Sequence, residues 1–371
     1  MPRTLVVTND FPPRQGGIET FVYELVRRFP PDSVVVYTSS SPDSESFDAA
    51  VPFPVVRDRS RVLLPLPRVA TRARALIDRY DCDRVWFGAA APLGLLAGRL
   101  GLPAVATTHG HEVWWAALPG TRQALRRIGD QVHTITYLTA FTRDRLAGAL
   151  GPRARLTRLT PAVDPDHFHP HADGAAIRRV YRLGGKPVIL TVSRLVPRKG
   201  QDSLIRALPE VRRVVPDATL LIVGSGPYEG TLRRLARELP EDAVVFAGGH
   251  GHSAMPDFYA AADVFAMPCR TRRGGLEPEG LGIVFLEAAA AGLPVLAGDS
   301  GGAPDAVLHG HNGYLTRGKD TAEIAERLVE LLTDPAGMGS TGRAWVQERW
   351  SWETSYHKLQ QLLDRAEAPT P

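Results

Sequence analysis

Residues 274–307 read GGLEPEGLGIVFLEAAAAGLPVLAGDSGGAPDAV, and the order of residue types in this stretch points to a helix followed by a buried strand. Ala, Leu and Glu favour helix, so residues 283–291 are expected to form a short one. Gly292 stands where a C-cap belongs, and Pro294 follows to stop the helix. Residues 293–297 then read as a short buried strand closed by Gly298-Asp-Ser-Gly-Gly. The first N–H groups of a helix have no partner inside it and attract an anion. Gly280 and Gly282 bare the backbone at that start, so a phosphate could come close. Glu279 precedes the helix and Glu287 lies on it, with seven residues between them. Carboxylates accept hydrogen bonds from sugar hydroxyls, so two of them flanking a phosphate would suit a sugar nucleotide. From spacing alone, a capping Glu and a surface Glu on an ordinary αβ unit account for the pattern equally well.

The segment Glu279-Gly-Leu-Gly-Ile-Val-Phe-Leu-Glu287-Ala, ahead of an Ala-rich helix and a Gly-Leu-Pro-Val strand, resembles the signature of family 4 retaining glycosyltransferases. The resemblance implies an α/β fold of the GT-B type: two facing Rossmann-like domains with parallel sheets and an interdomain cleft. It also implies that Glu279 contacts the donor sugar, that Glu287 binds the nucleotide ribose, and that Gly282 and Ile283 line the donor at the helix start.

Size and composition agree with two α/β domains, since 371 residues with 44% hydrophobic content can bury a core in each. No run of eighteen apolar residues occurs, so no spanning helix is expected. The first strand begins at once, and no signal peptide is expected. Cys82 and Cys269 lack metal-ligand spacing and fit a reduced cytoplasmic setting. Net charge is +4, and residues 1–180 carry 23 Arg and no Lys against 17 acidic residues. The basic half suits an anionic membrane surface. No nucleic-acid motif accompanies it, and no nucleic-acid partner is expected.

Residues 3–8 (RTLVVT) read as a buried first strand, followed by the loop Asn9-Asp10-Phe-Pro-Pro-Arg-Gln-Gly16-Gly17 and a helix with apolar positions Ile18, Phe21, Val22, Leu25 and Val26. Such a loop lies at the carboxyl edge of an open parallel sheet, where ligands bind. Taken alone, the glycines equally describe a tight turn. In the family, a glycine loop here lines the donor diphosphate and the acceptor, which assigns Gly16 and Gly17 to the donor and Asp10 to the acceptor side. Residues 39–50, rich in Ser, Asp and Pro, read as a loop. From Pro67 onward the chain reads as a basic amphipathic helix, which either lies on an anionic membrane or packs its apolar stripe into its own core. Lipid-modifying members of the family dock through this domain. Asp81-Cys82-Asp83 reads as a turn entering a strand rather than a metal pair.

A strand at 105–108 runs into His109-Gly-His111-Glu-Val-Trp114-Trp115. No third ligand spacing accompanies His-x-His-Glu, so no metal is expected. The resemblance places His109 on the donor sugar and assigns His111 and Trp114 to the acceptor pocket. Pro and His density over 161–171 marks the linker between a first domain at 1–168 and a second at 169–350, and the family returns its final helix, here 351–371, to the first domain.

In the second half, Ser193-Arg194-Leu-Val-Pro-Arg198-Lys199-Gly-Gln-Asp202 crowds three cations into a strand-to-helix loop, where Arg forks onto phosphate oxygens and Lys adds a mobile charge. A solvated surface loop is the alternative. The family holds the donor diphosphate with an Arg and a Lys five apart, which Arg194 and Lys199 match. Gly224-Ser-Gly226 is a weak nucleotide hint. His252, in the loop with which the family frames the base, is the candidate there.

The motifs recur in family order over nearly the whole chain. Within the family, His109-Gly-His-Glu, Ser193 to Asp202, and Arg270-Thr-Arg-Arg-Gly-Gly-Leu ahead of Glu279 are similar to mannosyltransferases that extend phosphatidylinositol monomannoside with GDP-mannose. This implies retaining transfer of mannose in an α-(1-6) link, with His109, Glu279, Arg194 and Lys199 as the catalytic set. It further implies no obligatory metal or other cofactor, a phosphatidylinositol mannoside acceptor, and peripheral attachment to the cytoplasmic face of the plasma membrane. The alternatives are another family 4 transferase with a different donor or acceptor, and a non-catalytic sugar-nucleotide-binding module.

Overall fold

Short runs of Val, Leu and Ile between glycine loops form parallel strands, because a strand covered by helices on both faces has no polar side to show. The computed structural model describes residues 2–14, 16–275 and 277–366. The expectations that touch Gln15, Leu276 and residues 367–371 lie outside them. The chain forms two compact units, one of Met1–Pro161 with Trp352–Pro371 and the other of Ala162–Ser351.

The first unit holds seven strands: β1 (Thr4–Thr8), β2 (Val34–Thr38), β3 (Val55–Arg57), β4 (Arg84–Phe87), β5 (Ala104–Thr108), β6 (Thr134–Tyr137) and β7 (Leu156–Arg158). They pair in parallel in the order β3-β2-β1-β4-β5-β6-β7. The second unit holds β8 (Val188–Val192), β9 (Thr219–Val223), β10 (Val244–Gly248), β11 (Val264–Met267), β12 (Val295–Gly298) and β13 (Gly313–Thr316), parallel in the order β10-β9-β8-β11-β12-β13. In both sheets the order reverses once, between β1 and β4 and between β8 and β11. Loops at the carboxyl ends beside such a reversal splay apart and leave a crevice for a ligand. Sheet burial on both faces is direct in the second unit: Leu190 and Val223 join one apolar cluster, Ile189 and Leu220 the other.

The boundary between units falls at 161/162, seven residues before the expected 168/169. Val163 and Phe168 sit in the core of the second unit, and the Val163 N–H donates to Trp350 O at 3.0 Å. The last helix, Trp352–Asp364, packs on the first unit. Ser355 Oγ donates to Thr160 O at 2.8 Å, Tyr356 stands edge-on to Phe29 at 5.3 Å, and Asp364 pairs with Arg84.

In the first unit one expectation is corrected and one left open is decided. Residues 39–50 are not all loop, because Ser44–Ala50 is helical. Phe47 anchors that turn against Phe11 at 6.0 Å and Tyr23 at 5.4 Å, a tertiary contact overriding poor local propensity. The basic helix, Pro67–Tyr80, buries its apolar stripe of Val69, Ala70, Ala73 and Leu76 in its own core. The exposed apolar side chains are instead Val62, Leu64 and Leu66, just before it, at 52%, 47% and 41% exposure. Asp81 ends the helix with φ +52, and the chain turns there into β4.

Candidate active site

The second unit gathers its charged groups at the carboxyl ends of β8 and β11, on the two sides of the reversal. After β8, the Ser193 N–H donates to Val223 O and the Leu195 N–H to Ser225 O, both at 3.0 Å, knitting this loop to the one after β9. Gly224 makes that approach possible, since a Cβ there would lie 2.0 Å from Ser193 O. The Gly-x-Gly is therefore explained by backbone packing. Buried Gln201 donates from Nε2 to Ser193 Oγ at 2.7 Å and to Arg194 O at 3.3 Å, holding the loop from below. The exposed Arg194 lines a groove with Ser193, Gly226, Gly249 and His250.

The turn Pro197–Lys199 aims two cations at Glu279. Arg198 Nη1 lies 2.7 Å and Lys199 Nζ 2.8 Å from the same oxygen, Oε2. Glu279 is only 5% exposed, and its backbone is pinned too: its N–H donates to Ser300 Oγ at 3.3 Å, and its carbonyl accepts from Gly302 N at 2.9 Å. The turn is clamped from behind by Arg270. Its N–H donates to Arg198 O at 2.8 Å, and its guanidinium places Nη2 2.8 and 2.9 Å from the two oxygens of buried Asp202. Arg198 was not in the expected set, although it sits in the cationic loop. The five-residue spacing singled out Lys199, and only the fold reveals that the neighbouring Arg reaches the same carboxylate.

The helix after Glu279 is Ile283–Ala290, with Gly282 as N-cap at φ +78. A side chain at Gly282 would be strained in that left-handed conformation, and its Cβ would meet the Phe285 ring at 2.5 Å. Glu279 therefore does not cap the helix, and Ile283 stands partly exposed at its start. Glu287 is not a surface residue. It is 6% exposed and accepts a 2.8 Å hydrogen bond from the Tyr259 hydroxyl, and burial pushes its carboxyl up to about 7. Tyr259 comes from the helix Met255–Ala260, and nothing in the sequence near Glu287 announces it. His252 packs its ring 5.4 Å from that of His167 and 5.3 Å from Phe168.

In the first unit, the candidate residues follow β1 and β5. Gly16 and Gly17 open the helix Gly17–Val26. Asp10 follows β1, and its carboxyl is raised by burial and by Glu19, with the charges of His111 and Arg14 opposing. His109 follows β5. Its Nε2 lies 2.7 Å from Gly88 O, at the end of β4, and its ring meets Phe21 edge-on at 5.3 Å. A carbonyl only accepts, so Nε2 carries the proton and Nδ1 is left as an acceptor. Burial holds this imidazole down to about 4, so it is neutral at pH 7. His111 and Trp114 stand partly exposed, Trp114 at 48%. Among the described residues, no group of three or more His, Cys, Asp or Glu is placed to hold a metal ion.

Residues 15–167 match the model described as Glycosyltransferase Family 4, and residues 174–348 the one described as Glycosyl transferases group 1. The chain is 49% identical, over 98% of both lengths, to the GDP-mannose-dependent alpha-(1-6)-phosphatidylinositol monomannoside mannosyltransferase of Mycobacterium tuberculosis. It is 46% identical, over 97% of both, to the GDP-mannose-dependent monoacylated alpha-(1-6)-phosphatidylinositol monomannoside mannosyltransferase of Corynebacterium glutamicum. Among solved structures, Anabaena HepE in complex with UDP and glucose superposes with a TM-score of 0.78 at 20% identity, over 98% of this chain and 99% of that one. Sucrose-phosphate synthase from Thermosynechococcus elongatus does so at 0.76 and 21%, over 98% of each. At that identity the two structures speak for the fold alone, which is of the GT-B type.

Proposed function

We infer, for a chain that belongs to the glycosyltransferases built of a family 4 and a group 1 unit, that it transfers mannose from GDP-mannose to phosphatidylinositol monomannoside in an α-(1-6) link. The observation that carries this reading is the near-half identity to the mycobacterial mannosyltransferase over essentially the full length of both chains. The cationic turn facing Glu279 supports it from chemistry.

In the reaction, the bond between the mannose anomeric carbon and the diphosphate breaks, and the electron pair leaves with GDP. Lys199 and Arg198, at Glu279, and Arg194 from the same loop meet that charge, with the bared amides at Gly282 on the helix after Glu279. Preorganised charge of this kind is usually the largest catalytic term. The acceptor hydroxyl attacks the anomeric carbon, and retention requires entry on the face that GDP leaves. A departing phosphate oxygen on that face takes the hydroxyl proton. Glu279 orients the sugar, Glu287 binds the ribose, and His252 frames the base. His109, with Nδ1 an acceptor, receives a hydrogen bond from a sugar hydroxyl, and Gly16 and Gly17 leave room for the diphosphate. Asp10, His111 and Trp114 serve the acceptor. Because side-chain cations meet the diphosphate, no divalent ion is required.

The test is transfer from radiolabelled GDP-mannose to phosphatidylinositol mannosides of defined length, in chelator. Labelled dimannoside at an undiminished rate is the expected result. Equal thermal stabilisation by GDP, UDP and ADP with no lipid-dependent release of GDP would instead describe a binding module.

The lipid acceptor brings the first unit to a membrane surface, and no helix among the described residues is long and apolar enough to cross one. Val62, Leu64 and Leu66, flanked by exposed Arg61, Arg68 and Arg72, are the surface suited to an anionic cytoplasmic leaflet. Burying one Leu contributes about 1.5–3 kcal/mol. The double substitution Leu64→Asp and Leu66→Asp should therefore cut co-sedimentation with phosphatidylinositol-containing vesicles at least about tenfold, leaving GDP binding unchanged. Undiminished vesicle binding places the attachment elsewhere.

A further inference from the structure

The turn that carries His109 also contains a carboxylate to which the reaction gives no work. Glu112 is 0% exposed. Its Oε2 accepts from two consecutive amides, His109 N and Gly110 N, each at 3.0 Å. Its other oxygen, Oε1, is buried without a hydrogen-bond partner, and His111 Nε2 lies 3.5 Å from it. A buried carboxylate with unfilled acceptors is costly, and a neutral side chain could accept from the same two amides with less desolvation. The two amides Glu112 holds belong to His109 and to the glycine after it.

His109 is fixed at three points. Its amide is bound by Glu112, its ring nitrogen by Gly88 O at 2.7 Å, and its ring edge by Phe21. Gly88 follows β4 directly, and Phe21 is a buried residue of the helix after β1. Glu112 holds the backbone that carries the ring, at the His109 and Gly110 amides. Gly110 follows at φ +98, where a residue with a side chain is strained, and its carbonyl accepts from Val113 N at 3.2 Å, so Glu112 secures the amide side of the turn.

We propose that Glu112 is a positioning residue: by holding the His109 and Gly110 amides with one oxygen, it keeps the His109 imidazole on the Gly88 carbonyl, with Nδ1 presented as an acceptor to a hydroxyl of the donor sugar. The catalytic consequence rests on the mannosyltransferase reading, whereas the orientation of the imidazole does not, and the two are tested separately.

Nitrogen-15 NMR of histidine-labelled protein reads the tautomer without any substrate. The intact chain should show His109 protonated at Nε2. Glu112→Gln, which keeps an acceptor of the same shape, should preserve that signal, and Glu112→Ala should replace it by an averaged one. In turnover, Glu112→Ala should lower kcat by about 10–100-fold, the scale on which losing an outer-shell partner costs a metal-bound histidine its function, with little change in KM for GDP-mannose. Glu112→Gln should restore most of the rate. The double variant with His109→Ala should be no worse than His109→Ala alone, because a residue acting through another adds nothing once that one is gone. If Glu112→Ala does not fold, Glu112→Asp, which withdraws the carboxylate by one methylene, gives the same comparison. An unchanged His109 signal in the truncated variants, or losses that add in the double variant, overturns the proposal. Absence of any mannosyl transfer in the intact chain removes the proposed function and leaves the NMR result to decide the positioning.

Discussion

Glu279→Gln is expected to lower kcat for mannosyl transfer by about 10²–10³-fold, the scale of losing one preorganised polar contact to the transition state, while GDP binds as tightly as before or more tightly. Both halves of that expectation come from one oxygen. Glu279 Oε2 is shared by Arg198 at 2.7 Å and Lys199 at 2.8 Å. Without a ligand, the carboxylate is the counter-charge of the two cations, and a bound diphosphate competes with it. Glutamine keeps the shape and one acceptor but no charge, so the cations are left more open to GDP. The sugar, meanwhile, loses the acceptor that orients its hydroxyls. A calorimetric Kd for GDP beside kcat from the radiolabel assay separates the two effects. Weaker GDP binding with unchanged kcat would assign Glu279 to the diphosphate side and sink its role on the sugar.

Lys199→Ala is expected to act on both quantities. A charge-assisted hydrogen bond is worth about 1.5–3 kcal/mol, so GDP affinity should fall roughly 10–100-fold. The rate should fall further, because charge grows on the diphosphate as the sugar leaves. Arg198 stays on Glu279, so the acid is not stranded and the chain should still fold. Arg is a planar fork rather than a mobile point charge, so Lys199→Arg should recover only part of the loss. Arg198→Ala under the same assays shows whether the neighbour shares the load. Retained GDP affinity in both single variants would leave the diphosphate to Arg194 and the helix start.

How much of this was legible in the chain depends on the distance over which each signal is written. The strands β1, β5, β8 and β12 were readable as short apolar runs leading into loops, as was the helix at 283 from its Ala-rich composition. The edge strands β3 and β13 were not, being three and four residues long and without strong pattern. The helix Ser44–Ala50 was hidden because its residues favour turns, and it is held by remote partners, Phe47 by Phe11 and Tyr23 and Asp48 by Arg57. The basic stretch at 57–79 could be read as basic and amphipathic, but not for the direction its apolar stripe faces, which depends on what packs against it.

Written locally in the chain are the alternation of strand and helix in both halves, the glycine-containing loops, and which loops carry His109, Arg194, Lys199 and Glu279. Those features are local, set by propensity, backbone freedom and periodicity within a few residues. The tertiary structure alone decided that Arg198 shares Glu279 with Lys199, that Tyr259 holds a buried Glu287, and that Gly88 fixes the tautomer of His109. Each partner there arrives from a segment twenty or more residues away, brought in by parallel strands whose crossovers put distant loops at one sheet edge. No local pattern records which remote side chain a crossover will deliver.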